Sequence, residues 1–233
     1  MKKNASCDGC PNKNCFIGHI QSPEWKLKLS NSKHLFIQKP GQHIFLEGNP
    51  VFGIYFILEG KVKVTISGKG NKEQIVRLAK DGDVLGHRGL GGDFYPINAI
   101  AMEETVLCFV ENSLLYSAFI ANSEFTFEMM LFYSGELRKA EQRMRYLAQM
   151  NVREKTADAL LFIRDSFGIN DETKELNVEI NREEIAGIAG TSVGQIIHNL
   201  SDLEKQKIID KTGKKIQISD EKKLREIVSA FYP

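Results

Sequence analysis

Apolar residues alternate with polar ones, or form short runs, from about Lys33 to Glu111. Segments such as "GIYFILEGKVKVTISG" and "INAIAMEETVLCFVEN" are rich in Val, Ile and Phe, and glycines separate them. In "FILEGKVKVTI" the alternation predicts two strands on either side of a turn at Glu59-Gly60. Many short strands with regular turn signals are typical of a β-sandwich or β-barrel.

The pattern becomes helical after Asn112. Six residues with spacings of 3, 4, 3, 4 and 3 form one stripe: Met130, Tyr133, Leu137, Ala140, Met144 and Leu147. This is an a/d seam, the pattern by which two helices pack along each other. We predict a long helix over 123–150 whose seam forms a symmetric dimer. The alternative is that the stripe packs on the chain's own β domain.

A third pattern begins near residue 151. "REKTADALLFIRDSFG" fits an amphipathic helix that ends at Gly168. A polar loop follows, and the alternation in "LNVEI" then predicts a short strand.

The next stretch, "NREEIAGIAGTSVGQIIHNLSDLEKQKIID", predicts a helix-turn-helix. Asn181 can cap the first helix, and Thr191 or Ser192 can cap the second. Gly190 lies at the turn between them. "KIIDKTGKKIQIS" then predicts a hairpin around Gly213, which would be the wing of a winged helix-turn-helix.

The second helix of such a motif enters the major groove of DNA, and its first residues face the base edges. We expect DNA contacts from these residues and from lysines beyond them: Thr191, Ser192, Val193, Gly194, Gln195, His198, Asn199, Lys205 and Lys214. However, residues 191–204 contain no Lys or Arg. Residues 151–233 hold 13 basic and 15 acidic side chains, a net charge of −2. A winged helix used for protein contacts is therefore the alternative.

Composition and motif spacing argue against several classes of protein. The 233 residues have a net charge of +1, which excludes a highly basic protein that coats nucleic acid but allows local basic patches. No apolar run predicts a transmembrane helix, and none follows the lysines of "MKKNASCDGC", so we predict no secretory signal and a cytoplasmic location. The scattered histidines show no triad, P-loop or HExxH spacing, so we predict no enzyme.

Three of the four cysteines fall within "CDGCPNKNC". In a reducing compartment such a group more often binds metal than forms disulfides. Cys7, Cys10 and Cys15 could bind zinc together with His19. Cys108 lies in an apolar strand, where a free cysteine is ordinarily a core residue. Thiol-based redox sensing without metal is a further reading.

The order of β domain, long helix and winged helix-turn-helix resembles the CRP/FNR family of bacterial transcription regulators. The resemblance rests on "PGQHIFLEGNP", "YFILEGKVKV", "KDGDVLG", the seam helix and "EEIAGIAGTSVGQIIHNLSDLEKQKII". It implies an α+β fold, with a cysteine-containing arm (1–22) and an antiparallel β-barrel of the cyclic-nucleotide-binding-like jelly-roll kind (23–122). The dimerisation helix (123–150) and the DNA-binding domain (151–233) follow.

The resemblance also implies a homodimer that binds a near-palindromic double-stranded DNA operator, with RNA polymerase as a further partner. Members that bind cyclic AMP carry a Gly-Glu pair and an Arg-Ser or Arg-Thr pair. In "GHRGLGGDFYPINAIA" Gly86 remains, but His87 replaces the Glu and Tyr95-Pro96 replaces the second pair. Since a buried phosphate needs a cation or several donors, we do not expect cyclic AMP to bind.

The oxygen-sensing FNR branch holds a [4Fe-4S] cluster with three N-terminal cysteines and a fourth at the end of the β domain. Cys7, Cys10, Cys15 and Cys108 resemble that set, although four residues rather than five separate the second and third cysteines. The resemblance therefore implies a cluster and a redox or gaseous signal. A zinc-stabilised regulator without an effector, or a β-barrel module acting through protein partners, remains the alternative.

The recognition helix departs from the family pattern. Gly194, Ile197 and His198 occupy positions where well-known members carry Glu and Arg. We therefore carry over the docking geometry and not the operator sequence. Gly194 within a helix costs about 0.8–1 kcal/mol relative to Ala, which a close approach of the backbone to DNA would justify.

Overall fold

The computed structural model describes residues 6–70 and 72–232. They form two compact units, one of residues 6–70 and 76–137, the other of residues 72–75 and 138–232. Residues 1–5 of the predicted arm lie outside the described residues. In the described part of the chain, no helix is long and apolar enough to span a membrane.

Two four-stranded sheets make up the β part. The first has the order β1-β8-β3-β6 and consists of β1 (His34–Gln38), β8 (Thr105–Glu111), β3 (Gly53–Glu59) and β6 (Val84–Leu85). The second has the order β2-β7-β4-β5 and consists of β2 (His43–Phe45), β7 (Asn98–Ala101), β4 (Val62–Ser67) and β5 (Glu73–Ala79). The predicted jelly-roll fold is confirmed, but the sheets stay separate and do not close into a barrel.

The chain passes from the first sheet to the second at the predicted Glu59-Gly60 turn. Gly60 has a φ of +123°, and a Cβ there would lie 2.5 Å from the hydroxyl oxygen of Thr105. Only glycine fits this position without displacing Thr105. The two strands on either side of the turn belong to different sheets and do not form a hairpin.

The first sheet is covered on both faces. Ile57 and Leu107 point into the core shared with the second sheet, whereas Phe56 and Cys108 contribute to the opposite face. Four segments cover that opposite face: a short 3-10 helix (Phe16–His19), α1 (Pro23–Ser32), α2 (Asn112–Ala121) and the start of α3 (Ser123–Gln149).

The cysteine-containing segment is thus part of the folded unit. Phe16, Ile17 and Ile20 are buried in the same cluster as Cys108. The sequence pattern did not predict α1, which the prediction had placed in the β-barrel region. The sequence does contain a local signal for the start of α1. Ser22 caps the helix by accepting a hydrogen bond from the Trp25 N–H, and Pro23 follows at the first helical position.

The C-terminal unit is a winged helix-turn-helix, as predicted. It contains α4 (Val152–Phe167), α5 (Arg182–Ala189), α6 (Val193–Lys205), β9 (Ile209–Thr212), β10 (Lys215–Ile218) and α7 (Glu221–Ile227). Asn181 and Ser192 cap α5 and α6, each through a capping box. Gly190, with a φ of +60°, ends α5 in the left-handed conformation that glycine adopts without strain.

The predicted strand "LNVEI" is wrong. Only isolated bridges form here, between Ile169 and Leu176 and between Glu175 and Gln217. The alternation reflects one-sided burial of Leu176, Val178 and Ile180, and the segment donates backbone hydrogen bonds towards β10 only at its two ends, from Leu176 and Ile180.

Candidate sensory pocket and DNA-binding surface

All four cysteines of the chain line one pocket on the helix-covered face of the first sheet. Cys7, Cys10 and Cys15 come from the N-terminal segment, and Cys108 comes from β8. The space between them is partly open to solvent. We call it the cysteine pocket.

Hydrogen bonds from Cys7 and Asn12 fasten the cysteine segment to α1 and β3. The backbone N–H of Cys7 donates to the hydroxyl oxygen of Ser30 near the end of α1, at 2.9 Å. The side-chain amide of Asn12 donates to the carbonyl oxygen of Ile57 on β3, at 3.1 Å. Asn12 lies between Cys10 and Cys15, so the shorter gap between these cysteines is part of an ordered loop.

A buried lysine also lines the cysteine pocket. The ammonium nitrogen of Lys33 lies 3.2 Å from the sulfur of Cys7, and the residue is 4% exposed. No Asp or Glu is among the described residues that line the pocket. Sequence reasoning missed Lys33, because nothing in the local pattern distinguishes it from the surface lysines of α1.

Burial raises the pKa of two of the thiols. The pKa of Cys108 rises to about 12 because the thiol is desolvated, and the neighbouring Lys33 ammonium only partly offsets this. Desolvation also raises the pKa of Cys15, with a smaller contribution from the charges of Cys10 and Cys7. Both groups are therefore neutral thiols at physiological pH in the metal-free protein, which makes them weak nucleophiles.

The described residues do not form a site for a single metal ion. Among the described residues, no three His, Cys, Asp or Glu side chains are placed to hold one metal ion. In an iron–sulfur cluster the thiolates bind different iron atoms, so they need not converge on one point. His19, the fourth ligand of the zinc alternative, does not line the pocket, and its Nδ1 lies 3.0 Å from the Glu128 carboxylate.

Aromatic side chains fill the stretch that corresponds to the nucleotide site of the family. The ring of Tyr95 stacks on Phe45 with centroids 4.2 Å apart, and its hydroxyl donates to the Gly53 carbonyl oxygen at 2.8 Å. The nearby Arg77 and Arg88 lie 3.0 and 3.9 Å from the Glu136 carboxylate. A phosphate would therefore have to compete with Glu136 for either cation.

His87 lies beside these arginines and is buried against α3. Its ring packs edge-on against Phe132, with centroids 4.9 Å apart, and its carbonyl oxygen accepts a hydrogen bond from the Tyr133 hydroxyl. Desolvation, reinforced by the positive charge of Arg77, lowers the pKa of His87 to about 3. The ring is therefore neutral at physiological pH.

The predicted seam divides into exposed and inward-facing residues. Met130, Leu137 and Met144 are each more than 60% exposed, and Ala140 is also exposed. The Tyr133 hydroxyl instead donates a hydrogen bond to the backbone carbonyl oxygen of His87. Leu147 approaches the turn of the helix-turn-helix, where a Cβ built on Gly190 would lie 3.2 Å from its Cδ2 atom.

The residues predicted to contact DNA lie mainly on the exposed side of α6. Thr191 and Asn199 are half-buried, and the others are exposed: Ser192, Val193, Gly194, Gln195, His198, Lys205 and Lys214. Ile196, Leu200 and Leu203 form the opposite, buried face. The start of the helix is thus free to approach another molecule.

Several polar side chains on this face are held by their own helix. The amide oxygen of Gln195 accepts hydrogen bonds from Thr191 and from the backbone of Ser192. The amide of Asn199 donates to the backbone carbonyl of Gln195 at 2.9 Å, and His198 lies 3.2 Å from Asp202. These contacts fix side-chain orientation before any ligand arrives.

Two domain families match this chain. Residues 38–122 match the cyclic nucleotide-binding domain, and residues 154–227 match the Crp-like helix-turn-helix domain. The matches coincide with the β domain and with the unit that carries α6.

Three proteins match more than four-fifths of this chain. The fumarate and nitrate reduction regulatory protein of Vibrio cholerae is 27% identical over 193 residues, which cover 82% of this chain and 76% of that protein. Electron transport regulator A of Shewanella oneidensis is 27% identical over 190 residues, which cover 81% and 75%. FixK2 from Bradyrhizobium japonicum has the same fold, with a TM-score of 0.74 and 23% identity over 84% of this chain and 96% of that one.

Proposed function

Since the chain belongs to the CRP/FNR family of DNA-binding transcription regulators, we propose that it is a homodimer that converts a redox or gaseous signal at the cysteine pocket into a change in DNA affinity. It is a regulator and not an enzyme, in line with its relatives. Its place of action would be the cytoplasm, where its DNA lies, with RNA polymerase as a further partner.

The observation that carries the sensory part is the gathering of every thiol of the protein in one pocket. Cys7, Cys10, Cys15 and Cys108 would hold a [4Fe-4S] cluster, which supplies a redox centre sensitive to oxidants. The chain itself contributes four soft ligands, an apolar wall and a cysteine segment that is fastened at Cys7 and at Asn12. The names of the Vibrio and Shewanella relatives, which refer to fumarate and nitrate reduction and to electron transport, support this assignment.

The cysteine pocket and the DNA-binding unit are connected along the chain by α3. Residues near both ends of its stripe contact their own unit, Tyr133 in the first and Leu147 in the second. The exposed Met130, Leu137 and Met144 would pack against the same residues of a second copy. A dimer formed in this way presents two α6 helices to two DNA half-sites.

Anaerobic purification tests the sensory part. We expect the parent protein to contain iron and sulfide and to show a broad absorption band that bleaches in air. Cys10→Ser should lose the band, whereas Asn14→Ser, a change on the same segment that removes no thiol, should keep it. A parent protein free of iron and sulfide would refute the cluster. Zinc in its place would favour the zinc-stabilised regulator.

A selection of genomic DNA fragments tests the regulatory part. We expect the anaerobic protein to retain a set of fragments that share a near-palindromic site, and the air-treated protein to retain them less well. If no fragment is retained at low salt in either state, the DNA-binding role is wrong and a module that acts on protein partners is favoured. If retention is equal in both states, the signal does not act through DNA affinity.

A further inference from the structure

Lys33 is the one Lys or Arg residue that is buried in the described part of the chain. Buried lysines are rare because removing an ammonium from water is costly without a partner. The other two buried charges are the anions Asp158 and Glu136, which pair with Arg143 and Arg77. Lys33 is the buried cation, and it lines the cysteine pocket.

The backbone fixes the position of this lysine. Lys33 ends α1, where its N–H donates to the Leu29 carbonyl oxygen at 3.0 Å. Two residues later, Leu35 pairs with Cys108 in the first sheet. The side chain is therefore placed by a helix end and a strand on either side, and its ammonium reaches Cys7 at 3.2 Å.

The charge around Lys33 changes when the cysteines bind metal. As thiols they are neutral, but as ligands all four are thiolates. Four thiolates around a [4Fe-4S]²⁺ core carry a net charge of −2, and no carboxylate adds to it, because no Asp or Glu is among the described lining residues. Coulomb attraction to a nearby cation is strong in such a poorly solvated place.

We infer that Lys33 is the buried counter-cation of the cysteine pocket, placed there to stabilise the anionic cluster. The inference rests on the proposed cluster and concerns a residue that supports the ligands without being one. A cation of this kind holds the cluster more firmly and makes its reduced form easier to reach. A lysine that only packs against Cys7 would do neither.

The test compares three variants with the parent protein after anaerobic purification. Lys33→Met removes the charge and keeps an apolar side chain of similar length, and Lys33→Arg keeps the charge. Lys39→Met removes an exposed lysine just beyond β1 and serves as the matched control. Lys33→Gln repeats the charge removal if the methionine variant does not fold.

Iron release to a ferrous chelator and the midpoint potential of the cluster are the primary measurements. We expect Lys33→Met to release iron about 10–100-fold faster, the range by which supporting residues change metal affinity, and to have a more negative potential. Lys33→Arg should lie near the parent, and Lys39→Met should match it.

Unfolding of the metal-free proteins separates this role from a structural one. The single tryptophan, Trp25, lies on α1 and reports on this unit. If Lys33→Met lowers the free energy of unfolding of the metal-free and the cluster-loaded protein equally, the lysine is structural and the inference is wrong. Unchanged iron release and potential would also refute it while leaving the cluster in place. A parent protein without iron would refute the proposed cluster, and this inference with it.

Discussion

Arg77 on β5 and Glu136 on α3 form an ion pair, with the guanidinium Nε 3.0 Å from a carboxylate oxygen and both side chains close to one-tenth exposed. The guanidinium also donates to the Val84 carbonyl oxygen at 2.6 Å. The pair joins the long helix to the edge strand of the second sheet.

Removing one partner of this pair should destabilise the N-terminal unit. Glu136→Gln removes the nearer anion of the Arg77 guanidinium, which keeps only Asp83 at 3.5 Å, and we expect a loss of up to about 3 kcal/mol in the free energy of unfolding. Urea unfolding followed by Trp25 fluorescence measures it. Glu141→Gln, an exposed change on the same helix, should have little effect. Equal midpoints for the two variants would mean that the pair contributes nothing net.

His87 should make this unit sensitive to acid. Its folded pKa of about 3 lies below the unfolded value of about 6.5, so the unfolded chain takes up the proton first. The contribution of the neutral ring to the free energy of unfolding is therefore fully present above about pH 6.5. It is lost as pH falls towards 3, and the loss is about 2 kcal/mol at pH 5. Arg77, Arg88 and Glu136 are the charged groups that act on the ring.

The variant His87→Leu should unfold with a shallower dependence on pH between 6.5 and 5. Urea midpoints at several pH values, followed by Trp25 fluorescence, measure the slope. His43→Gln, at an exposed histidine on β2, should keep the parent slope. A parallel pH dependence in the parent and His87→Leu would show that His87 does not carry this sensitivity.

Local signals in the sequence were sufficient for the helix-turn-helix of the C-terminal unit. Asn181, Ser192 and Gly190 act through hydrogen bonds and backbone angles within a few residues, so their positions predict helix ends directly. The β domain was predictable as a class because alternation reports burial. The separation of β3 and β4 into two sheets was not, since it depends on which distant strands they pair with.

Long-range relationships escaped the sequence. The pairing of Arg77 with Glu136 spans the β domain and α3, and no spacing rule links them. Lys33 resembles the surface lysines of α1 until the fold buries it against Cys7. The seam was predicted as one stripe, but Tyr133 and Leu147 are directed to their own units, because helix periodicity alone does not say which neighbour an apolar residue will meet.

The proposed dimer makes a prediction for Leu137. Leu137→Glu places two charges in the seam and removes two leucines from burial, each worth about 1.5–3 kcal/mol. We expect the dimer dissociation constant to rise about 100-fold or more. Sedimentation at several concentrations measures it. Leu27→Glu makes the same change at an exposed leucine of α1 and should leave the dimer intact. A monomeric parent, or a dimer unaffected by Leu137→Glu, would contradict the seam.

We expect Lys214 to contact a DNA phosphate and Gln195 to contact a base, and the two kinds of contact respond differently to substitution. Lys214 lies at the tip of the wing and makes no ion pair with any described residue. We expect Lys214→Gln to weaken binding evenly across sequences and to lower the salt dependence of affinity by about one ion. Gln195→Ala should instead cost about 1–3 kcal/mol on the selected site and relax preference at one base position. Anisotropy titrations at several salt concentrations distinguish the two, with Lys26→Gln on α1 as the control.

Gly194 offers a test in which stability and DNA affinity move in opposite directions. It lies in the first turn of α6, and a Cβ built there meets nothing within 4 Å. Gly194→Ala should therefore stabilise the C-terminal unit by up to about 1 kcal/mol, because alanine loses less backbone entropy in a helix. The added methyl group lies on the exposed side of the helix, where the proposed contact with DNA brings backbone and bases together.

We therefore expect Gly194→Ala to unfold at higher urea concentration, followed by far-ultraviolet circular dichroism, and to bind the selected DNA at least about tenfold more weakly. A gain in stability with unchanged affinity would mean that the backbone does not approach DNA closely at this position. A loss of stability would mean that α6 does not have the regular geometry on which both expectations depend. Only the combination of a firmer helix and weaker binding explains why a helix-destabilising residue stands at the start of the recognition helix.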